Sequence, residues 1–357
     1  MYDFLKNRII REDMERLLFR QEKGLWLKGK TVLITGAYGM LASYMVFFLI
    51  YLNEIDSNNN VKIIAQGRNM EKMRKRFGLY CEKEYFNILQ QDICKPLEVE
   101  ENIDYIIHAA SLASPQFYGT KPVDVLLPNS IGTYYLLQFA KEKSVSGFLF
   151  FSSGDVYGKL DSREEQYSES DYGYLDCMDN RSCYGESKRM GETLCRAFFS
   201  QYGVPAKVVR IAHTYGPTLD IGNDQRMFSE FVNCIVHNKD IEMKSEGTAE
   251  RMFCYIEDAT DAFLRILYKG KSGEAYNMFN NTQMISIKEL AKLLVEMFPE
   301  KKLNVVMKKR ENLSEYLESP VHKSPIMSTE KLQQLGWNPI FDIYNGFRRT
   351  ILSFESD

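Results

Sequence analysis

Apolar runs bounded by Gly, Asn or charged residues recur from residue 30 to about 217, with amphipathic stretches between them. The runs KTVLITG (30–36), VKIIAQG (61–67), YFNILQQDI (85–93), IDYIIHAAS (103–111), GFLFFSS (147–153) and AKVVRIAHTYGP (206–217) read as buried strands. Between them, MLASYMVFFLIYL (40–52), NMEKMRKRF (69–77), LLPNSIGTYYLLQFAKEK (126–143) and YGESKRMGETLCRAFFSQYG (184–203) read as helices, the last stopped by Gly203. Strands that alternate with helices predict an α/β doubly wound parallel sheet with helices on both faces. An amphipathic helix is expected ahead of it, at 5–20. Beyond residue 218 the pattern mixes. Short strands (RMFCYI, EAYNMF) interleave with helices at 226–238, 286–298 and 344–354, which predicts a smaller C-terminal α/β lobe.

Composition narrows the function. The 357 residues are 45% hydrophobic and 26% charged, enough apolar content to bury a core. A net charge of −3 gives no general attraction to nucleic acid or to an anionic membrane. The cysteines number seven and form no C-x-x-C pair, which argues against a disulfide framework and against a zinc site; no metal is expected. Reduced thiols point to the cytoplasm. The opening MYDFLKNRIIREDMERLLFR is charged throughout, unlike a signal peptide. The run 40–52 is too short to span a bilayer and reads as a buried helix.

The first strand and helix are joined by TGAYGMLAS (35–43), a G-x-x-G-x-x-A loop. Gly36 suits the tight turn, Gly39 lets the backbone approach a pyrophosphate, and Ala42 lets the helix pack closely on the strand. The free N–H groups of the helix N-terminus favour phosphate. The loop therefore predicts a bound dinucleotide, with Tyr38 and Met40 beside it. For NAD, an acid should end the second strand and hold the ribose hydroxyls. This strand ends AQGRN, and Arg68 suits a 2′-phosphate. Arg68 leans toward NADP or is a surface charge; NAD and NADP both stay open. Asp92, with Ile93 after it, ends the third strand where it can accept from the adenine amino group.

In SCYGESKRMGE (182–192), Tyr184 and Lys188 stand four apart, on one helix face. Alone this pair is a weak signal. The set TGAYGMLA, QDI, HAAS, PNSIGT, FSSGDVYG, CYGESK and VVRIAHTYGP, in that order over about residues 30–280, resembles the extended short-chain dehydrogenase/reductases, in the group of NAD(P)-dependent nucleotide-sugar epimerases, dehydratases and decarboxylases. LGWNP (335–339) is similar to the family's C-terminal signature, whereas 322–332 lacks its usual Pro-Asp pair. The resemblance implies a Rossmann NAD(P)-binding domain over 30–217 and a predominantly nucleotide-sugar-binding lobe over 218–357, with 1–29 as an added docking or dimer helix. It also implies a tightly bound, recycled cofactor lined by Ala109, Ala110, Ser111, Ile211 and His213 besides the loop residues. Tyr184, Lys188 and Ser153 fall on the family's catalytic Tyr, Lys and Ser/Thr. A phenolate favoured by a neighbouring ammonium can take a proton from a sugar hydroxyl while hydride leaves that carbon.

The residues just after Ser153 distinguish the branches of the family. The stretch SGDVYG keeps a carboxylate, Asp155, but has Gly154 where dehydratases carry Asp and decarboxylases carry Ser. Asp155 acts on the keto intermediate or caps a turn. Segments 111–133 and 180–193 resemble the UDP-glucuronate decarboxylases, and Arg226 and Arg251 stand on segments that hold the diphosphate and nucleotide. Ser111, Ser153, Asp155 and His213 complete the implied substrate contacts; His213 replaces the usual Asn. UDP-glucuronate decarboxylation is the leading expectation. A 4-epimerase or 4,6-dehydratase is the alternative, and a non-catalytic cofactor-binding regulator is the reading from another class. The resemblance also implies a homodimer through a four-helix bundle; apolar residues on several faces of 126–143 and 184–203 (Tyr134, Tyr135, Leu137; Leu194, Phe198, Phe199) leave one face for the sheet and another for a partner.

Overall fold

The computed structural model of the protein describes residues 3–160, 166–308 and 325–355. Seven strands form one parallel sheet: β1 (Thr31–Thr35), β2 (Lys62–Gly67), β3 (Phe86–Gln90), β4 (Tyr105–His108), β5 (Gly147–Ser153), β6 (Ala206–Ile211) and β7 (Ala275–Met278). Their spatial order is β7-β6-β5-β4-β1-β2-β3, and every neighbouring pair runs parallel. The order reverses between β1 and β4, so the chain crosses over at the C-terminal strand ends and leaves a crevice there. Strands β1 and β4 are buried at every position, as a sheet covered on both faces requires. This is the expected Rossmann fold.

Helix Met40–Ile55 follows β1 and is buried on nearly all sides from Ala42 to Asn53, which explains a run apolar in every direction. The expected helix 126–143 forms as Pro122–Leu127 and Thr133–Lys143, joined by a π-helical turn at Pro128–Gly132. Pro128 lacks the N–H that a regular helix would use there. Its carbonyl lies 3.1 Å from Nε2 of the buried His108. A carbonyl only accepts, so Nε2 carries the proton, and Nδ1 accepts from Thr35 Oγ1 at 2.8 Å.

Three elements differ from expectation. The strand 206–217 splits at Ala212: Ala206–Ile211 stays in the large sheet, while His213–Tyr215 pairs with Glu250–Tyr255 in a second sheet. The strand in EAYNMF, expected in the C-terminal lobe, instead closes the edge of the large sheet as β7. Helix Ile256–Lys269 was not anticipated, although Ile256, Ala259, Ala262, Phe263, Ile266 and Leu267 follow helical spacing and are all buried. Its first turns read as polar because they carry Glu257, Asp258 and Asp261.

Those acids explain the N-terminal extension. Helix Arg8–Arg20, capped by the Asn7 side chain on the Ile10 N–H, lies against Ile256–Lys269. Arg16 donates to Glu257 at 2.8 Å, and Arg20 donates to Asp258 at 2.7 Å and Asp261 at 2.9 Å. Asp13 is wholly buried and accepts from Tyr44, Tyr255, Arg16 and Arg349. The extension therefore docks on its own chain. Of the apolar residues on these two helices, Leu137 and Phe198 lie in the core, as a face turned to the sheet requires, while Tyr134 is exposed on another face. Residues 309–324 of the expected C-terminal lobe lie outside the described residues.

Candidate active site

The loop after β1 has the shape a dinucleotide needs. Gly36 has φ +62°, and a Cβ there would stand 2.7 Å from the Ala110 Cα. Only glycine fits both the left-handed backbone and that approach. Gly39 is the N-cap of helix Met40–Ile55 and offers no side chain to its first turn, so the N–H groups stay open to a ligand. Ala42 is buried in that turn. Thr35 Oγ1 accepts from the N–H groups of Ala109 and Ala110, both at 3.2 Å, and so fixes the start of the neighbouring loop. The Ser111 hydroxyl is buried with no hydrogen-bond partner, as is that of Ser114. Orphaned buried hydroxyls at a crevice mark ligand contacts. These features fit a nicotinamide dinucleotide. Alanine at position 36 is expected to weaken NAD binding roughly tenfold, since left-handed backbone alone costs about 1–2 kcal/mol. Calorimetric NAD titration checks this, and unchanged affinity would refute it.

Tyr38 is half-buried, its ring close to Gly67, and Met40 opens the helix. Arg68 is exposed just past β2, with Gln66 and Gly67 buried before it. Asp92 caps a turn by accepting from the Cys94 N–H at 3.0 Å, and Ile93 is buried against Gly132. Ile211 ends β6, half-buried.

Tyr184 and Lys188 sit in the first turns of helix Cys183–Tyr202, which ends at Gly203 in the left-handed region as expected. Gly191 lets this helix press onto Phe150 of β5 and onto the Asn129 carbonyl in the π turn. Tyr184 is 7% exposed. Its ring stacks on Tyr118, with centroids 5.2 Å apart and planes 14° apart. Ser153, at the end of β5, lies close to the phenol. Burial pushes the phenol well above its usual range and the nearby Asp155 adds to this; Ser153 and Arg226 pull it back. Lys188 donates to the Phe151 carbonyl at 2.6 Å. Burial drives its amine down to about 7, opposed by Glu192 and Asp155.

Asp155 begins a 3-10 turn after β5, and its N–H donates to Ser153 Oγ at 3.2 Å. Its side chain meets solvent, yet protein crowds around it at the end of β5. That crowding raises its carboxyl above the ordinary range, while Lys188 lowers it. Gly154 has a packing reason: a Cβ there would lie 3.1 Å from the Phe279 ring. His213, at the start of the strand His213–Tyr215, likewise meets solvent with protein crowded around it. Burial, then Arg251 and Arg226, hold its imidazole down to about 3, so it is neutral. Arg226 forks onto Asp224 at 2.6 Å and reaches the Met40 sulfur at 3.9 Å, which places it against the phosphate-loop helix. Arg251 donates to the Glu250 carbonyl at 2.8 Å.

Thus Tyr184, Lys188, Ser153 and Asp155 gather at one end of the crevice, and His213, Arg226 and Arg251 adjoin them. Arg68 and Asp92 stand apart, at the β2–β3 side. A cavity of about 480 Å³ opens beside Arg226, lined by Gln116, Phe117, Asp224 and Glu230 among others. Another, of about 980 Å³, lies behind the Tyr184 helix and touches Glu192 and Arg210 but not the phenol or Lys188. It is not the seat of this chemistry. Tyr118 and Glu192 went unremarked in the sequence. The Tyr in SPQFYG and the Glu one turn past Lys188 were visible there, but nothing local marked them.

Residues 32–280 match the model of the NAD dependent epimerase/dehydratase family, and the chain belongs to that family of enzymes. It is 30% identical over 329 residues to UDP-glucuronic acid decarboxylase 1 of Xenopus tropicalis, covering 92% of this chain and 73% of that protein. It is 29% identical over 332 residues to human dTDP-D-glucose 4,6-dehydratase, covering 90% of this chain and 89% of that one. The fold superposes on UDP-glucuronic acid 4-epimerase of Bacillus cereus, solved in complex with NAD, with a TM-score of 0.72, 19% identity, and coverage of 91% of this chain and 96% of the other.

Proposed function

We propose that the protein is a UDP-glucuronate decarboxylase that works with bound NAD. The observation that carries this reading is Asp155, a carboxylate just past β5 within electrostatic reach of both Tyr184 and Lys188. The identity with UDP-glucuronic acid decarboxylases supports it. The nicotinamide supplies a hydride acceptor for C4 of the sugar and later the donor that reduces C4 again. Tyr184 takes the proton from the C4 hydroxyl. Ser153, close to the phenol, orients the sugar oxygen. Lys188 favours the phenolate and holds the nicotinamide ribose. The resulting ketone at C4 makes the C6 carboxylate a β-keto acid. The C5–C6 bond breaks, carbon dioxide leaves, and the electron pair moves to the C4 oxygen. Asp155 then delivers the proton to C5; its raised carboxyl suits it to carry one. Arg226 and Arg251 bind the diphosphate and nucleotide from the 218–357 side of the cleft, and Ser111 and His213 line the sugar and the nicotinamide. We assign NAD rather than NADP from the family, with Arg68 a surface charge.

A 4,6-dehydratase is the second reading, favoured by the nearly equal identity with the human dehydratase. Gly154 weighs against it, because it leaves no carboxyl at the place where dehydratases carry their acid. The half-exposed Tyr134 face, with Met190 and Tyr202, suits a homodimer built from a four-helix bundle, and the site of action is the cytoplasm.

Mass analysis of UDP-glucuronate incubated with the protein and NAD tests the reading. Loss of carbon dioxide supports it, and an unchanged mass rejects it. Asp155→Asn is expected to lower that turnover about 10²-fold or more, the usual contribution of a positioned acid or base. A 4-epimerase would keep its rate.

A further inference from the structure

Arg210 is the most unusual side chain in the sheet. It sits one residue before the end of β6, wholly buried, where a charge is expensive unless paired. Its Nε donates to Glu192 Oε1 at 3.0 Å and its Nη2 to Oε2 at 2.8 Å, a two-pronged fork. Its remaining donors reach the Glu169 carbonyl at 3.0 Å and the Tyr172 hydroxyl at 2.9 Å. Replacing such a pair by apolar residues is often neutral or stabilising, so packing alone does not account for it. Glu192 lies one helical turn past Lys188, on the same face. The same carboxylate accepts from Ser152 Oγ at 2.5 Å. Ser152 stands between Phe151, whose carbonyl holds the Lys188 amine, and Ser153, which lies close to the Tyr184 phenol.

We infer that Glu192, anchored by Arg210, is a positioning residue that keeps Lys188 charged and fixes the end of β5 against it. The inference rests on the roles proposed for Tyr184 and Lys188. Three titratable groups besides Tyr184 face Lys188. Glu192 comes from its own helix, and Asp155 from the turn after β5. His108, from the end of β4, is neutral because burial and Lys188 hold it down to about 3. Of the two acids, Glu192 opposes the effect of burial on Lys188 more strongly than Asp155 does. Asp155 is committed to the substrate. Glu192 is tied down by three hydrogen-bonding groups and faces no substrate, which suits a fixed counter-charge.

The test reads Lys188 itself and needs no substrate. The whole protein is labelled with 13C at the lysine ε-carbons, and the Lys188 signal is assigned by its loss in Lys188→Met. Its titration midpoint is followed in the parent and in Glu192→Gln, which keeps the shape and removes the charge. An opposite charge at this range moves a midpoint by about 1–3 pH units, so a fall of about one unit or more is expected in Glu192→Gln. Should that variant fail to fold, Glu192→Gln with Arg210→Met leaves no buried charge unpaired and should show a smaller fall. A midpoint unchanged in the variant that folds, with only thermal stability altered, would overturn the inference. A shifted midpoint in a protein that ignores UDP-glucuronate would uphold the inference and reject the substrate reading instead.

Discussion

Tyr184→Phe is expected to lower nucleotide-sugar turnover by about 10²–10⁴-fold, the range a positioned acid–base group supplies. The change removes one oxygen and leaves the rest of the site. The ring keeps its stack on Tyr118 and its burial beneath the cleft. Lys188 keeps its bond to the Phe151 carbonyl. The phosphate loop, on the far side of the crevice, is untouched. NAD affinity should therefore stay at the parent value while kcat collapses. The pair of measurements is a fluorescence titration with NAD and a steady-state rate. Full activity in the variant would remove Tyr184 from the mechanism. Loss of NAD binding together with activity would mean that the phenol serves architecture rather than proton transfer.

The second large effect concerns stability. Asp13→Ala is expected to destabilise the protein by about 3–5 kcal/mol, because breaking one side of a buried ionic cluster strands the other. Asp13 is fully buried and receives two phenols, Tyr44 and Tyr255, and two guanidiniums, Arg16 and Arg349. Its removal leaves Arg349 with the hydrogen bonds to Glu12 and the Ile9 carbonyl. Burial together with the Asp13 charge also pushes Glu257 up to about 9. Loss of Asp13 therefore eases Glu257 while it orphans the phenols, and the phenol and arginine losses dominate. An exposed pair gives the scale: Glu242→Gln, which breaks a surface contact with Lys308, should cost under about 1 kcal/mol. Urea unfolding of the two variants side by side checks this. Equal, small effects would show that the N-terminal helix is only loosely attached.

Much of the site was legible because its chemistry is local in sequence. The phosphate loop packs its glycines, its strand end and its helix start into nine residues, and Tyr184 and Lys188 are one turn apart. Ser153 and Asp155 come directly after a single strand. The hidden features depend on distant contacts. The split at Ala212 could not be read, because no Gly, Pro or other turn residue separates Ala206–Ile211 from His213–Tyr215 and only pairing with Glu250–Tyr255 tells them apart. Helix Ile256–Lys269 hid behind its acids, whose polarity makes sense only once Arg16 and Arg20 arrive from residues more than two hundred positions away. Gly154 looked like a lost acid until Phe279 was seen to occupy its space. Glu192 looked like one more charge on a helix until Arg210 met it from the sheet.

The most direct test of the proposed mechanism tracks the hydrogen at C4. UDP-glucuronate carrying deuterium at C4 is incubated with the protein and NAD, and the product is analysed by mass and NMR. The expected product is a UDP-pentose that has lost carbon dioxide and still carries deuterium at C4, because the hydride is taken and returned within one closed site. A decarboxylated product with hydrogen at C4, or a substrate recovered unchanged, would contradict the mechanism.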